Sequence, residues 1–108
     1  LLGSTAAMAA DEVSVESPGY EALVDGQNAL AIRQIHAQGK ISTGDPATMI
    51  NLGSAYVRTG RDAEAAELFR AAMQSPARKI ELADGTVTTT KVAARKSLRQ
   101  LESRVATR

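Results

Sequence analysis

The sequence predicts a mainly α-helical domain of antiparallel helix-turn-helix units, completed by a short β-hairpin and a C-terminal capping helix. Three observations carry that prediction. Apolar residues between positions 46 and 73 recur at helical spacing in two blocks separated by little more than Thr59-Gly60, and helices joined by so short a turn pack antiparallel. Aromatic residues are only 3% of the chain (Phe69, Tyr20 and Tyr56, with no Trp), so the core is built from Ala, Leu, Ile, Val and Met. Closely packed Ala-rich helices suit such a core better than a sandwich or a barrel. Finally, "RKIELADGTVTTTK" at 78–91 leaves the helical period. It alternates Ile80 and Leu82 before Asp84-Gly85 and places Val87 and a threonine run after it, a hairpin pattern with a type I′ turn. At 108 residues the chain has room for one small domain.

The elements follow in order. "LLGSTAAMAADEV" ends an apolar run at Ala7-Met8-Ala9 and turns acidic at Asp11-Glu12, the small-x-small pattern that signal peptidase accepts. Residues 1–10 therefore read as a signal-peptide remnant, which places the mature chain in the periplasm or outside the cell, or else as an alanine-rich terminus without a targeting role. Residues 11–18 form an extended segment in which Val13 and Val15 alternate with polar residues over too few positions to define a strand. Ser17-Pro18 has the form of an N-cap followed by a first-turn proline. A short helix over Tyr20–Val24 is interrupted at Asp25-Gly26, and a second runs from Gln27 to about Gln38, where Gly39 ends it. Its apolar side is Leu30, Ala31, Ile32 and Ile35. After the loop "STGDP" a helix carries Met49, Ile50, Leu52, Gly53, Tyr56 and Val57. Asp62 caps the next, whose Ala65, Leu68, Phe69, Ala72 and Met73 form one face. The helical region thus spans 19–76. The hairpin and a last helix occupy 77–108, with Thr89 or Thr90 as its cap and Ala94, Leu98, Leu101 and Val105 as its stripe.

Residues 49–76 contain Met49-x-x-Leu52-Gly53-x-x-Tyr56, then Gly60, then Ala65-x-x-x-Phe69-x-x-Ala72, then Pro76. This pattern resembles the tetratricopeptide repeat, with Met49 in place of the usual Trp and Pro76 one residue early. One family period upstream, about 34 residues, Gly53, Gly60, Ala65 and Phe69 fall on Gly19, Gly26, Ala31 and Ile35, whereas Leu52 and Tyr56 fall on Pro18 and Ala22. The upstream unit is therefore partial. No third unit follows, so the hairpin and last helix read as an insertion and a cap. About three units are normally needed for stability. With one full unit and one partial unit, completion falls to the cap, to self-association as a homodimer, or to a protein or peptide partner.

The resemblance implies a non-catalytic protein-interaction module whose ligand groove is lined by first-helix residues. Here those are Ile50, Asn51, Ser54, Val57 and Arg58. Ile50 and Ser54 do not supply the Lys/Asn/Arg set of a carboxylate clamp, which disfavours that binding mode. No cofactor and no metal site is expected, and the chain is not read as an enzyme. It has no cysteine, which removes thiolate chemistry. His36, its single histidine, has no partner at catalytic or metal-ligand spacing, and the near-match to a phosphate loop at 85–91 has Thr90 where Gly must precede Lys. No stretch approaches the ~20 apolar residues of a membrane span.

Charge supplies the alternative. Residues 1–77 carry five Lys/Arg against nine Asp/Glu, and residues 78–108 carry eight against three. Lys91, Arg95, Lys96 and Arg99 therefore form a candidate polyanion-binding face for nucleic acid or an anionic envelope surface. Glu102, the apolar stripe and the favourable placement of cations toward a helix C-terminus weigh for a packed helix instead, and nucleic acid is the disfavoured partner.

Overall fold

The computed structural model describes residues 12–39 and 44–107; the signal-peptide expectation for residues 1–10 lies outside them. The described chain is mainly helical, with a small antiparallel sheet. In chain order its elements are α1 (Tyr20–Val24), α2 (Asn28–Gln38), α3 (Pro46–Arg58), α4 (Asp62–Gln74), β1 (Lys79–Glu81), β2 (Val87–Thr89) and α5 (Thr90–Ala106). The pairs α1/α2 and α3/α4 are helical hairpins. Helix α2 packs on α3, and α5 lies against both α3 and α4.

Both hairpins turn in the same way. After α3, Gly60 adopts φ +81, its N–H donates to Val57 O at 3.2 Å, and Arg61 N–H donates to Tyr56 O at 2.8 Å. After α1, Gly26 adopts φ +77, its N–H donates to Leu23 O at 3.1 Å, and Gln27 N–H donates to Ala22 O at 2.8 Å. This is the Schellman arrangement, in which a left-handed glycine lets two amides satisfy the last helical carbonyls. The helix contacts match as well. A Cβ on Gly53 would lie 2.5 Å from Phe69 Cε1, and a Cβ on Gly19 would lie 2.8 Å from Ile35 Cδ1. Glycine lets each pair of helices close to a distance that alanine would prevent. Ala31 and Ala65 are fully buried beside these contacts, as are Ile35 and, within 1%, Phe69.

The core has three connected parts. Ile35, Leu52, Tyr56, Ala65, Phe69 and Leu101 join α2, α3, α4 and α5. Ala47, Ile50, Ala72, Ile80, Leu82, Ala93 and Ala94 fix the hairpin and α5 to the α3/α4 pair. Val13, Ala22, Leu23, Ala31 and Ala55 bring in the N-terminal segment.

Several local expectations change. Helix α1 starts at Tyr20 behind Gly19 (φ +84) with no side-chain cap, so Ser17-Pro18 sits in a turn ahead of the helix rather than in its first turn. Asp62 is the first residue of α4, and the capping position belongs to Arg61, which begins the helix without a side-chain capping bond to the backbone. The hairpin turn is not type I′, which needs φ > 0 at both central residues; among the described residues only glycines have positive φ. Gly85 N–H donates to Leu82 O and Leu82 N–H donates to Thr86 O, which makes Ala83-Asp84-Gly85 a three-residue loop with Gly85 left-handed. Asp84 Oδ1 accepts from Thr86 N–H at 2.9 Å, and hydrogen bonding from the Thr86 hydroxyl and amide holds its carboxyl below the usual carboxylate range. The two threonines divide the expected capping role: Thr89 Oγ1 accepts from Val92 N–H, while buried Thr90 accepts from Arg78 N–H at 2.9 Å. On α5, Ala94 and Leu101 are buried, but Val105 is 43% exposed, in an open hollow beside Asp62, Ala63 and Ala66 of α4.

Candidate functional site

Helix α3 positions the site. Its start is fixed by Asp45, whose carboxylate accepts from the Thr48 amide and hydroxyl and pairs with the Arg78 guanidinium. Burial alone would raise the Asp45 carboxyl, but the hydrogen bonds from Thr48 and the charge of Arg78 outweigh it and hold it below the ordinary carboxylate range. Anchored there, α3 turns Asn51 toward the segment that precedes α1, where the expected extended stretch is limited to the Ser14 bridge and its approach and residues 15–18 turn into the helix.

Asn51 is completely buried, which an amide tolerates only when its hydrogen-bonding capacity is met. It is met by backbone. Ser14 N–H donates to Asn51 Oδ1 at 2.8 Å, and Asn51 Nδ2 donates to Ser14 O at 3.1 Å and to Pro18 O at 3.1 Å. The amide thus grips both main-chain groups of one residue, as a neighbouring strand would. On the other side of the segment, Ser14 forms an antiparallel bridge with Leu82, and Val15 N–H donates to Glu81 O at 2.9 Å. Residues 14–15 therefore lie between Asn51 and the edge of β1, whose other edge pairs with β2. Val13, 2% exposed, is buried among small and aliphatic side chains of α1, α2 and α3. Glu12 Oε2 lies 3.6 Å from Lys96 Nζ.

Each expected groove residue has a definite place. Ile50 is fully buried beneath the hairpin, and Ser54 is 3% exposed. Val57 packs partly buried against the central cluster. Arg58 is half-buried and donates from Nη1 to Leu23 O and to Asn28 Oδ1. The five lie on one side of α3, and the chain itself packs on it: the hairpin on Ile50, residues 14–18 on Asn51, and α1 and the start of α2 on Arg58. This cover is only faintly marked in the sequence. Val13 and Val15 alternate for too few positions to mark a strand, and the fold that holds them is distant in sequence.

The basic residues of α5 have different surroundings. Lys91 Nζ donates to Met73 O at 2.6 Å, capping the C-terminus of α4, and Lys96 faces Glu12. Arg95 and Arg99 are exposed. His36, also exposed, shares a 3.3 Å hydrogen bond with the Tyr56 hydroxyl, and Arg61 lies 4.1 Å above the Tyr56 ring centroid. Among the described residues no group of three or more acidic or histidine side chains is placed to hold a metal, and no helix is long and apolar enough to cross a membrane. Comparisons with models of protein families, with curated proteins and with solved structures give no match to this chain.

Proposed function

We propose that this chain is a non-catalytic protein-interaction module of the bacterial envelope, built on a short tetratricopeptide-like array, and that the Asn51 side of α3 is a receiver for extended polypeptide. One observation carries the reading. A fully buried asparagine binds the N–H and C=O of Ser14 while Glu81 O binds Val15 N–H. Recognition of main chain by a helix-borne amide and a strand edge is largely independent of side chains, and it is the means by which β-augmentation holds a peptide. Selectivity then comes from the small apolar pocket around Val13 and from the limited space at Ser14. The repeated Schellman turns and the paired Gly53–Phe69 and Gly19–Ile35 contacts support the array reading. The Ala7-Met8-Ala9 pattern ahead of Asp11 supports export.

The test weakens the chain's own segment and offers a replacement. In Val13→Asp the carboxylate is expelled from the apolar pocket, so the site is vacated. A peptide with the sequence of residues 12–18, titrated into the full-length variant and followed at the Asn51 side-chain amide by NMR, is expected to bind at least about tenfold more tightly than to the unaltered chain, where the tethered segment competes at millimolar effective concentration. Adding Asn51→Ala is expected to abolish binding. A Val13→Asp chain with native helical circular dichroism that binds no peptide would contradict the proposal.

A further inference from the structure

The turn of the hairpin is an Asp-Gly pair, and such a pair carries a covalent chemistry of its own. The main-chain nitrogen that follows an aspartate can attack the aspartate Cγ, and glycine, having no side chain, obstructs that attack least. Asp84 and Gly85 are both exposed, and a Cβ built on Gly85 would meet nothing within 4 Å, so the pair stands open to water. Two sets of hydrogen bonds oppose the attack while the loop is closed. Gly85 N–H, which carries the nucleophilic nitrogen, donates to Leu82 O at 2.9 Å. The Asp84 carboxyl is engaged by Thr86, whose amide donates to Oδ1 at 2.9 Å. Hydrogen bonding from the Thr86 hydroxyl and amide also favours the carboxylate, whereas the acid is the form that loses its oxygen as water.

We infer that Asp84 is a site of spontaneous aspartate-to-isoaspartate isomerisation, gated by opening of this loop, and that the modified loop loosens the hold of β1 on residues 14–15. A bond forms between Gly85 N and Asp84 Cγ. The Cγ–OH bond breaks, and the hydroxyl leaves as water with the proton from Gly85 N–H. Water then opens the cyclic imide at the Asp84 main-chain carbonyl, so the chain runs on through Cβ and Cγ and the α-carboxyl is released as the new acid. One water leaves and one enters, and no oxidant or second reactant is required. The main chain of the loop is now one carbon longer. A loop closed by Leu82 N–H to Thr86 O at 2.8 Å and by Gly85 N–H to Leu82 O at 2.9 Å does not absorb that carbon and keep both bonds. Leu82 is also the residue that bridges Ser14, so a shift there is passed directly to the N-terminal segment. The inference stands on that bridge and not on what the Asn51 side of α3 receives.

The full-length chain, incubated for weeks near neutral pH, tests it. Isoaspartate at Asp84 is quantified by peptide mapping with electron-transfer fragmentation, because the two forms have equal mass. It is expected to accumulate at least about tenfold more slowly in the folded chain than in guanidinium chloride, since the closed loop is the gate. Thr86→Val keeps the amide but loses the hydroxyl, and at this exposed position it is expected to speed isomerisation of the folded chain several-fold. In the isomerised chain, separated by chromatography, the Ser14 and Val15 amides are expected to exchange at least about tenfold faster while those in the middle of α4 hold their rates. Equal rates with and without denaturant, or no isoaspartate at Asp84 in either, would overturn the gated site. Unchanged Ser14 exchange in the isomerised chain would overturn its coupling to the N-terminal segment.

Discussion

The absent side chain of Gly53 decides how near α3 and α4 approach. A methyl group there would stand 2.5 Å from Phe69 Cε1, and the ring is 1% exposed, with no free space to move into. Gly53→Ala gains about 1 kcal/mol of helix propensity but forces an overpacked contact costing about 1–3 kcal/mol, so its urea midpoint is expected to fall. Combined with Phe69→Leu, the same change is expected to cost less than it does alone. A double-mutant cycle reads that coupling, and strict additivity would contradict the contact. Gly53 was legible in the sequence because its spacing to Phe69 belongs to a recognisable pattern. Asn51 was legible only as a residue of interest. A polar residue in mid-helix is consistent with an open groove or a buried grip, and the choice depends on a partner 37 positions away that no local pattern indicates.

Among the elements, α3 depends most on charge. The depressed Asp45 carboxyl is stabilised as an anion by Thr48 and Arg78 in the folded chain. Its contribution is therefore present above the unfolded carboxylate pKa of about 3.9 and is lost as pH falls through the lower folded value. Asp45→Asn keeps an N-cap acceptor but loses the ion pair with Arg78. The variant is expected to be less stable near neutrality, and its difference from the unaltered chain is expected to shrink as pH drops below about 4. Urea midpoints measured across that range check it, and a difference constant with pH would contradict it. Helix positions and the hairpin were readable from periodicity and from Asp84-Gly85. The turn type was not, because Asp-Gly also serves a three-residue loop in which Gly85 alone is left-handed. The sequence does not distinguish Asp62 as a cap from Asp62 in the first turn of α4, because aspartate suits both positions.

At the scale of the molecule, the small aromatic content did foretell the alanine-rich packing, and the short turn did foretell the helical hairpins. The covering of α3 was not foretold. Two strands alone are marginal in water; this hairpin has a partner in residues 14–15, and α3 completes the arrangement by supplying Asn51 where a further strand would otherwise lie. The segment thereby joins the N-terminal end of the chain to α3, to β1 and, through Glu12 and Lys96, to α5. Whether these contacts act as one receiver is read most directly by amide hydrogen exchange. In the unaltered chain the Ser14 and Val15 amides are expected to be protected well above the unfolded rate. In Asn51→Ala they are expected to lose at least about tenfold of that protection, while amides in the middle of α4 change far less. Ser14 exchanging at the unprotected rate in the unaltered chain, or keeping its protection in Asn51→Ala, would contradict the account.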